Sequence, residues 1–159
     1  MMFLKALKQL IKVFLLALLS LGVVIGVYAD GVKRVSGQPI AVYKTPNCGC
    51  CKGWIDYLKT NGFSVETHNL GNLDGIKAQH GLTEPSLMSC HTAIVDGYVI
   101  EGHVPAADIW RLLDERPEVV GITAPGMPQM APGMYGAEPD GYDVLSFDAD
   151  GRTTLFSRY

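Results

Sequence analysis

Tyr43-Lys44-Thr45-Pro46-Asn47-Cys48-Gly49-Cys50-Cys51 is the stretch whose reading decides how this chain folds. Before it, Pro39-Ile40-Ala41-Val42-Tyr43 is a short apolar run of strand formers and reads as a buried strand. After it, Trp54, Ile55 and Leu58 fall on one helical face, and Gly62 is placed to cap that helix. A strand therefore runs into a turn-rich loop carrying three thiols, and the loop opens a helix.

Working outward, Phe63 to His68 alternates as a strand does, and Leu73 to His80 predicts a short helix ending at Gly81. Thr92 to Val95 and Tyr98 to Glu101 flank Asp96-Gly97, a hairpin signal. Ile109, Leu112 and Leu113 predict a helix over 106–115 that stops before Pro117. Strand, helix, strand, helix, hairpin, helix is the order of a thioredoxin-like α/β domain, expected over 39–117. The remainder, 118–159, reads as a C-terminal extension packed on that domain. Its first part, a loop with Pro125, Pro128 and Pro132, resists regular structure, while Tyr142 to Phe147 and Thr153 to Ser157 predict a β-hairpin. The intervening Asp148-Ala149-Asp150-Gly151 lacks the later ligands of a calcium loop and reads as a turn.

The N-terminus differs in kind. Met1 to Ala29 has Lys5, Lys8 and Lys12, no acidic residue, an apolar run from Val13 and a small-residue exit. These are the parts of a secretory signal peptide; as an uncleaved anchor the run sits at the lower length limit for spanning a bilayer. Residues 30–38 read as a linker. Either outcome puts the rest of the chain outside the cytoplasm, with membrane contact only through an uncleaved N-terminus. The whole chain carries −3, but ten basic and sixteen acidic residues follow Ala29, so the exported part carries −6. Such a domain is a poor ligand for nucleic acid or an anionic membrane and is suited to cations.

Three thiols at the start of a helix share amide groups and a macrodipole that favour thiolates. A thiolate is the nucleophile of disulfide exchange and a ligand for Cu(I), zinc or iron–sulfur centres. Cys48 and Cys51 keep the C-x-x-C spacing of exchange enzymes; Cys50 is an additional thiol, which complicates exchange but strengthens a metal site. An inert disulfide bracing the loop is the structural alternative. Cys90, in Ser89-Cys90-His91, stands where thioredoxin-like redox enzymes place a proline loop against the cysteine motif, so four sulfurs are expected to converge. His103, in Glu101-Gly102-His103-Val104-Pro105, is the leading imidazole, with His91 behind it. His68 is a weaker candidate and His80 reads as solvated. Met127, Met130 and Met134 offer thioethers, which bind Cu(I) without deprotonation; packing of an irregular loop is their alternative.

Tyr43-Lys44-Thr45-Pro46-x-Cys48-Gly49-Cys50-Cys51, Ser89-Cys90-His91-Thr92-Ala93, Glu101-Gly102-His103-Val104-Pro105 and the repeated Pro-Gly-Met together resemble the CopG-type periplasmic copper-resistance proteins. The resemblance covers most of the exported chain. It implies a thioredoxin-like fold holding copper through Cys48, Cys50, Cys51 and Cys90 with His103 in support, and redox interconversion of Cu(I) and Cu(II) in the periplasm. The leading expectation is a copper-binding protein of copper resistance, its thiolates holding Cu(I) as a multinuclear cluster. Its partners would be copper ions and periplasmic efflux or redox proteins. Two other readings stay open. One is a thiol–disulfide oxidoreductase using Cys48 and Cys51; the other is a passive copper chaperone.

Overall fold

A computed structural model describes residues 37–135 and 138–159. The expected signal segment and all but the last two residues of the linker lie outside the described residues. Among those described, no helix is long and apolar enough to cross a membrane.

Strand β1 (Gln38–Lys44) leads into helix α1 (Gly49–Thr60) and strand β2 (Phe63–Asn69). Helix α2 (Asp74–Gln79) and a 3-10 turn (Pro85–Leu87) precede the hairpin β3 (His91–Val95) and β4 (Tyr98–Gly102). Helix α3 (Ala106–Glu115), β5 (Gly121–Ala124), β6 (Asp143–Phe147) and β7 (Thr153–Arg158) complete the chain. All seven strands form one sheet in the order β2-β1-β3-β4-β5-β6-β7. β1 runs parallel to β2 and antiparallel to β3, and β3 pairs antiparallel with β4 through Ala93↔Ile100. That four-strand segment with its helices is the thioredoxin-like arrangement expected from the element order.

Strand alternation sorts side chains onto two faces. Ile40, Val42, Ala93, Val95 and Ile100 pack in one core with Trp54, Ile55 and Leu58 of α1 and Ile109 and Leu112 of α3. Val99 and Phe147 face the other way, against Leu82 and Leu87 of the segment after α2. Helix α3 ends where Arg116 adopts the left-handed conformation (φ +51°) before Pro117.

The extension continues the same sheet. Its strand β5 has no counterpart in the sequence reading: four residues holding one large apolar side chain show no usable period. Pairing parallel to β4 and antiparallel to β6 buries all four of them. The expected hairpin is β6–β7. Its Asp148 carboxylate accepts the Asp150 and Arg152 amides, as a turn carboxylate does.

Candidate metal centre

Helix α1 begins one residue after its N-cap, Cys48, whose Sγ accepts the Cys51 N–H at 3.3 Å. The short Gly49 leaves that first turn open, and Cys51 points fully inward while Cys48 and Cys50 are half-buried. Cys48 and Cys51 are joined as a disulfide; Cys50 and Cys90 are free thiols. Cys50 Sγ lies 3.5 Å from Cys48 Sγ and 4.0 Å from Cys90 Sγ. Cys90 Sγ is 3.5 Å from Cys51 Sγ. The four sulfurs expected to converge do so.

Cys90 is also the meeting point with the imidazoles. Its Sγ is 3.3 Å from His91 Nδ1 and 3.4 Å from His103 Nε2. Cys48, Cys50, Cys51 and Cys90 form one group, and Cys90, His91 and His103 another, with the donor atoms of each within 4.8 Å of one another. His103 Nδ1 donates to the Pro132 carbonyl at 2.8 Å, which leaves the Nε2 lone pair facing the sulfurs. His91 is fully buried between the Trp54 ring, at 4.4 Å, and the His103 ring, at 4.8 Å. Its Nε2 is buried with no partner in hydrogen-bonding geometry. The two histidines are thus equally close to Cys90, although the sequence reading ranked His103 first. His68 stacks on Tyr43 and pairs with Glu66, and His80 closes α2; neither joins the cluster.

Burial sets the protonation of these groups. It pushes the Cys90 thiol up to about 12, with Cys50 acting in the same direction. Cys90 therefore carries a proton that a bound cation would displace. Burial drives His91 well below the usual histidine range, assisted by His103 and Lys77, and it lowers His103 against the opposing Pro132 carbonyl. Both rings are neutral at pH 7, as metal ligands must be. Below about pH 6.5 the unfolded chain takes up protons that the folded rings refuse. Folded stability of the metal-free protein is present above that pH and falls on acidification. Melting temperatures from pH 7 to 5 should show it, with a shallower fall in His91→Phe.

The proline- and methionine-bearing loop reaches this cluster through glycine. Gly133 sits at φ +82°, and a Cβ there would lie 2.3 Å from the Trp54 nitrogen and 2.9 Å from the Cys50 carbonyl. From the helix side, a Cβ on Gly53 would meet the Gly133 carbonyl at 2.9 Å. This contact carries Pro132 to His103 and lets Met134 and Tyr135 line an open cleft with Gly49, Cys50 and Gly133. Met127 and Met130 are exposed (45% and 41%). Gly133→Val combines backbone strain with a clash and should destabilise the metal-free protein by about 2–4 kcal/mol in urea denaturation. Gly126→Val, also at positive φ but with open space around it, should cost less.

The fold matches solved structures. Two solved structures, both of copper resistance protein copG (Form 1 and Form 2), superpose with a TM-score of 0.71. They are 41% and 40% identical to this chain and cover 77% of it and 98% of their own length. The chain belongs to the CopG family. A family model described as "Protein of unknown function, DUF411" matches residues 87–134, the segment from the 3-10 turn through Cys90 and His103 to Met134. No curated protein matches the chain.

Three contributions went unread in the sequence. The Pro132 carbonyl that orients His103 leaves no residue-type signal. The enclosure of His91 depends on Trp54, which reads only as helix core. Lys77 looks like an ordinary solvated lysine of a short helix, yet it is buried beneath the Cys90 loop.

Proposed function

We propose that this CopG-family chain binds copper as a protein of copper resistance, holding Cu(I) through Cys48, Cys50, Cys51 and Cys90 with His103 and His91. The observation that carries this is the convergence of four sulfurs and two neutral imidazoles around Cys90. Soft thiolates and imidazoles suit Cu(I), and near-adjacent sulfurs are able to bridge several ions. The names of its relatives point the same way. Met134, beside Cys50 in the open cleft, is the best placed of the three methionines to meet incoming Cu(I). Met127 and Met130 would act only at the surface.

The disulfide supports a redox side to this reading. With Cys48 and Cys51 reduced, the pair can pass one electron to each of two Cu(II) ions. This gives two Cu(I) and the disulfide and releases the two thiol protons. A reductant protein of the exported compartment would then restore the dithiol. In this reading the chain works in the periplasm, as the signal peptide expected over residues 1–29 and the acidic remainder support, with efflux or redox proteins as its partners.

Anaerobic Cu(I) titration of the reduced protein tests the binding reading. A thiolate-to-copper absorption that saturates above one equivalent per chain is expected. Repeated turnover of Cu(II) by catalytic amounts of protein with a thiol reductant would separate an enzyme from a passive chaperone.

The geometry also favours a second reading. Cys90 Sγ lies 3.5 Å from Cys51 Sγ, so that Cys90, once deprotonated, is within reach of the disulfide as a resolving thiol of a thiol–disulfide oxidoreductase. Insulin reduction at a thioredoxin-like rate by metal-free protein would support it.

A further inference from the structure

Lys77 is the only buried residue of α2, at 4% exposure, and Glu101 on β4 is fully buried. Lys77 Nζ forms an ion pair with Glu101 Oε1 and donates to Thr92 Oγ1 at 2.9 Å and to the Ser89 carbonyl at 3.3 Å. The carboxylate in turn accepts the Ser89 N–H on Oε1 at 2.6 Å and the Thr92 hydroxyl on Oε2 at 2.7 Å. Both backbone polar groups of Ser89 are therefore held by this one pair. Burying two charges carries a desolvation cost that apolar side chains of similar size avoid, so the pair is a poor choice if core stability were its only purpose.

Its placement suggests another purpose. Each residue of the network on β3, β4 and the loop before them is within two positions of a donor of the cluster: Ser89 precedes Cys90, Thr92 follows His91, and Glu101 stands two before His103. Alternation turns Thr92 and Glu101, which are cross-strand partners, toward the α2 face of the sheet. His91 faces α1 and Trp54. The pair thus grips the ends of β3 and β4 from behind while the donors gather in front. Ser89 is fixed a third time, its hydroxyl donating to the Gly126 carbonyl at the start of the methionine-bearing loop.

We propose that the Lys77–Glu101 pair is the positioning device of the centre, holding Cys90 where its sulfur meets Cys50, Cys51 and His103. The proposal rests on the copper reading above and names residues that act through Cys90 without touching the metal. The double variant Lys77→Met/Glu101→Leu replaces the pair by apolar groups of similar size, a change that buried ion pairs often tolerate.

Three readouts are taken: melting of metal-free protein, Cu(I) affinity by competition with bathocuproine disulfonate, and iodoacetamide labelling of Cys90 in reduced metal-free protein, resolved by mass spectrometry. The variant should stay folded but melt lower than wild type, because the Ser89 N–H and carbonyl and the Thr92 hydroxyl lose these partners. It should bind Cu(I) roughly tenfold or more weakly with an altered thiolate-to-copper absorption, and label Cys90 several-fold faster. A folded variant with wild-type affinity, absorption and labelling overturns the proposal. So does a variant that cannot fold, because the pair would then serve the fold and not Cys90. If wild type takes up no Cu(I), only the copper reading fails, and the labelling ratio still decides the positioning role.

Discussion

Cys50→Ser is expected to reduce copper loading from more than one ion per chain to one or fewer, while leaving dithiol chemistry at Cys48 and Cys51 intact. Cys50 lies outside the disulfide, with its sulfur 3.5 Å from Cys48 and 4.0 Å from Cys90. It bridges the helix-start sulfurs and the loop sulfur, and no C-x-x-C exchange step requires it. Serine is near in size, so the first turn of α1 and the Cys48 cap should persist. A hydroxyl is a hard donor with little affinity for Cu(I). Metal analysis of the reduced, anaerobically loaded variant reads the loading. A dithiol titration of the Cys48–Cys51 couple reads what is left. If the variant keeps the wild-type copper count, Cys50 is no ligand. If it loses exchange chemistry as well, the additional thiol belongs to the redox step.

Cys90→Ser should have the larger effect on affinity. Cys90 is the one residue common to both donor groups, with sulfur contacts to Cys51 and to both histidines between 3.3 and 3.5 Å. Removing it separates the sulfurs of α1 from the imidazoles of β3 and the loop after β4. Loss of a ligand exceeds the 10–100-fold typical of a supporting partner, so competition with bathocuproine disulfonate should show a fall of about a hundredfold or more. Because the Cys90 thiol is held protonated well above neutral pH, wild type should also release a proton from it on taking up Cu(I). Cys90→Ser should release one fewer, measured by pH-indicator titration in weak buffer. The protein should stay folded, since Cys90 is half-buried and outside the apolar core.

Much of this arrangement is legible in the residues, for identifiable reasons. Ile40 and Val42, the Trp54–Leu58 spacing and Asp96-Gly97 carry periods and turn chemistry local enough to read, and their order specifies the four-strand segment. The cysteine cluster is legible because Cys48, Cys50 and Cys51 occupy one helix start and the fold order returns Cys90 to it. What escapes is what long-range packing alone decides. Gly121 to Ala124 becomes a strand only because β4 and β6 stand on either side of it. His91 and His103 are distinguishable in sequence by neighbours, yet both end beside Cys90. Lys77 carries the signal of a surface residue, and only the carboxylate of Glu101, 24 positions away, makes its burial tolerable.

The central claim is that the reduced thiols hold copper. Its most direct test is the copper content of protein purified and reduced without air, loaded with Cu(I), desalted and assayed per chain. More than one copper per chain, lost on oxidation of Cys48 and Cys51, is the predicted result. Protein that stays metal-free under those conditions while reducing insulin at a thioredoxin-like rate would contradict it.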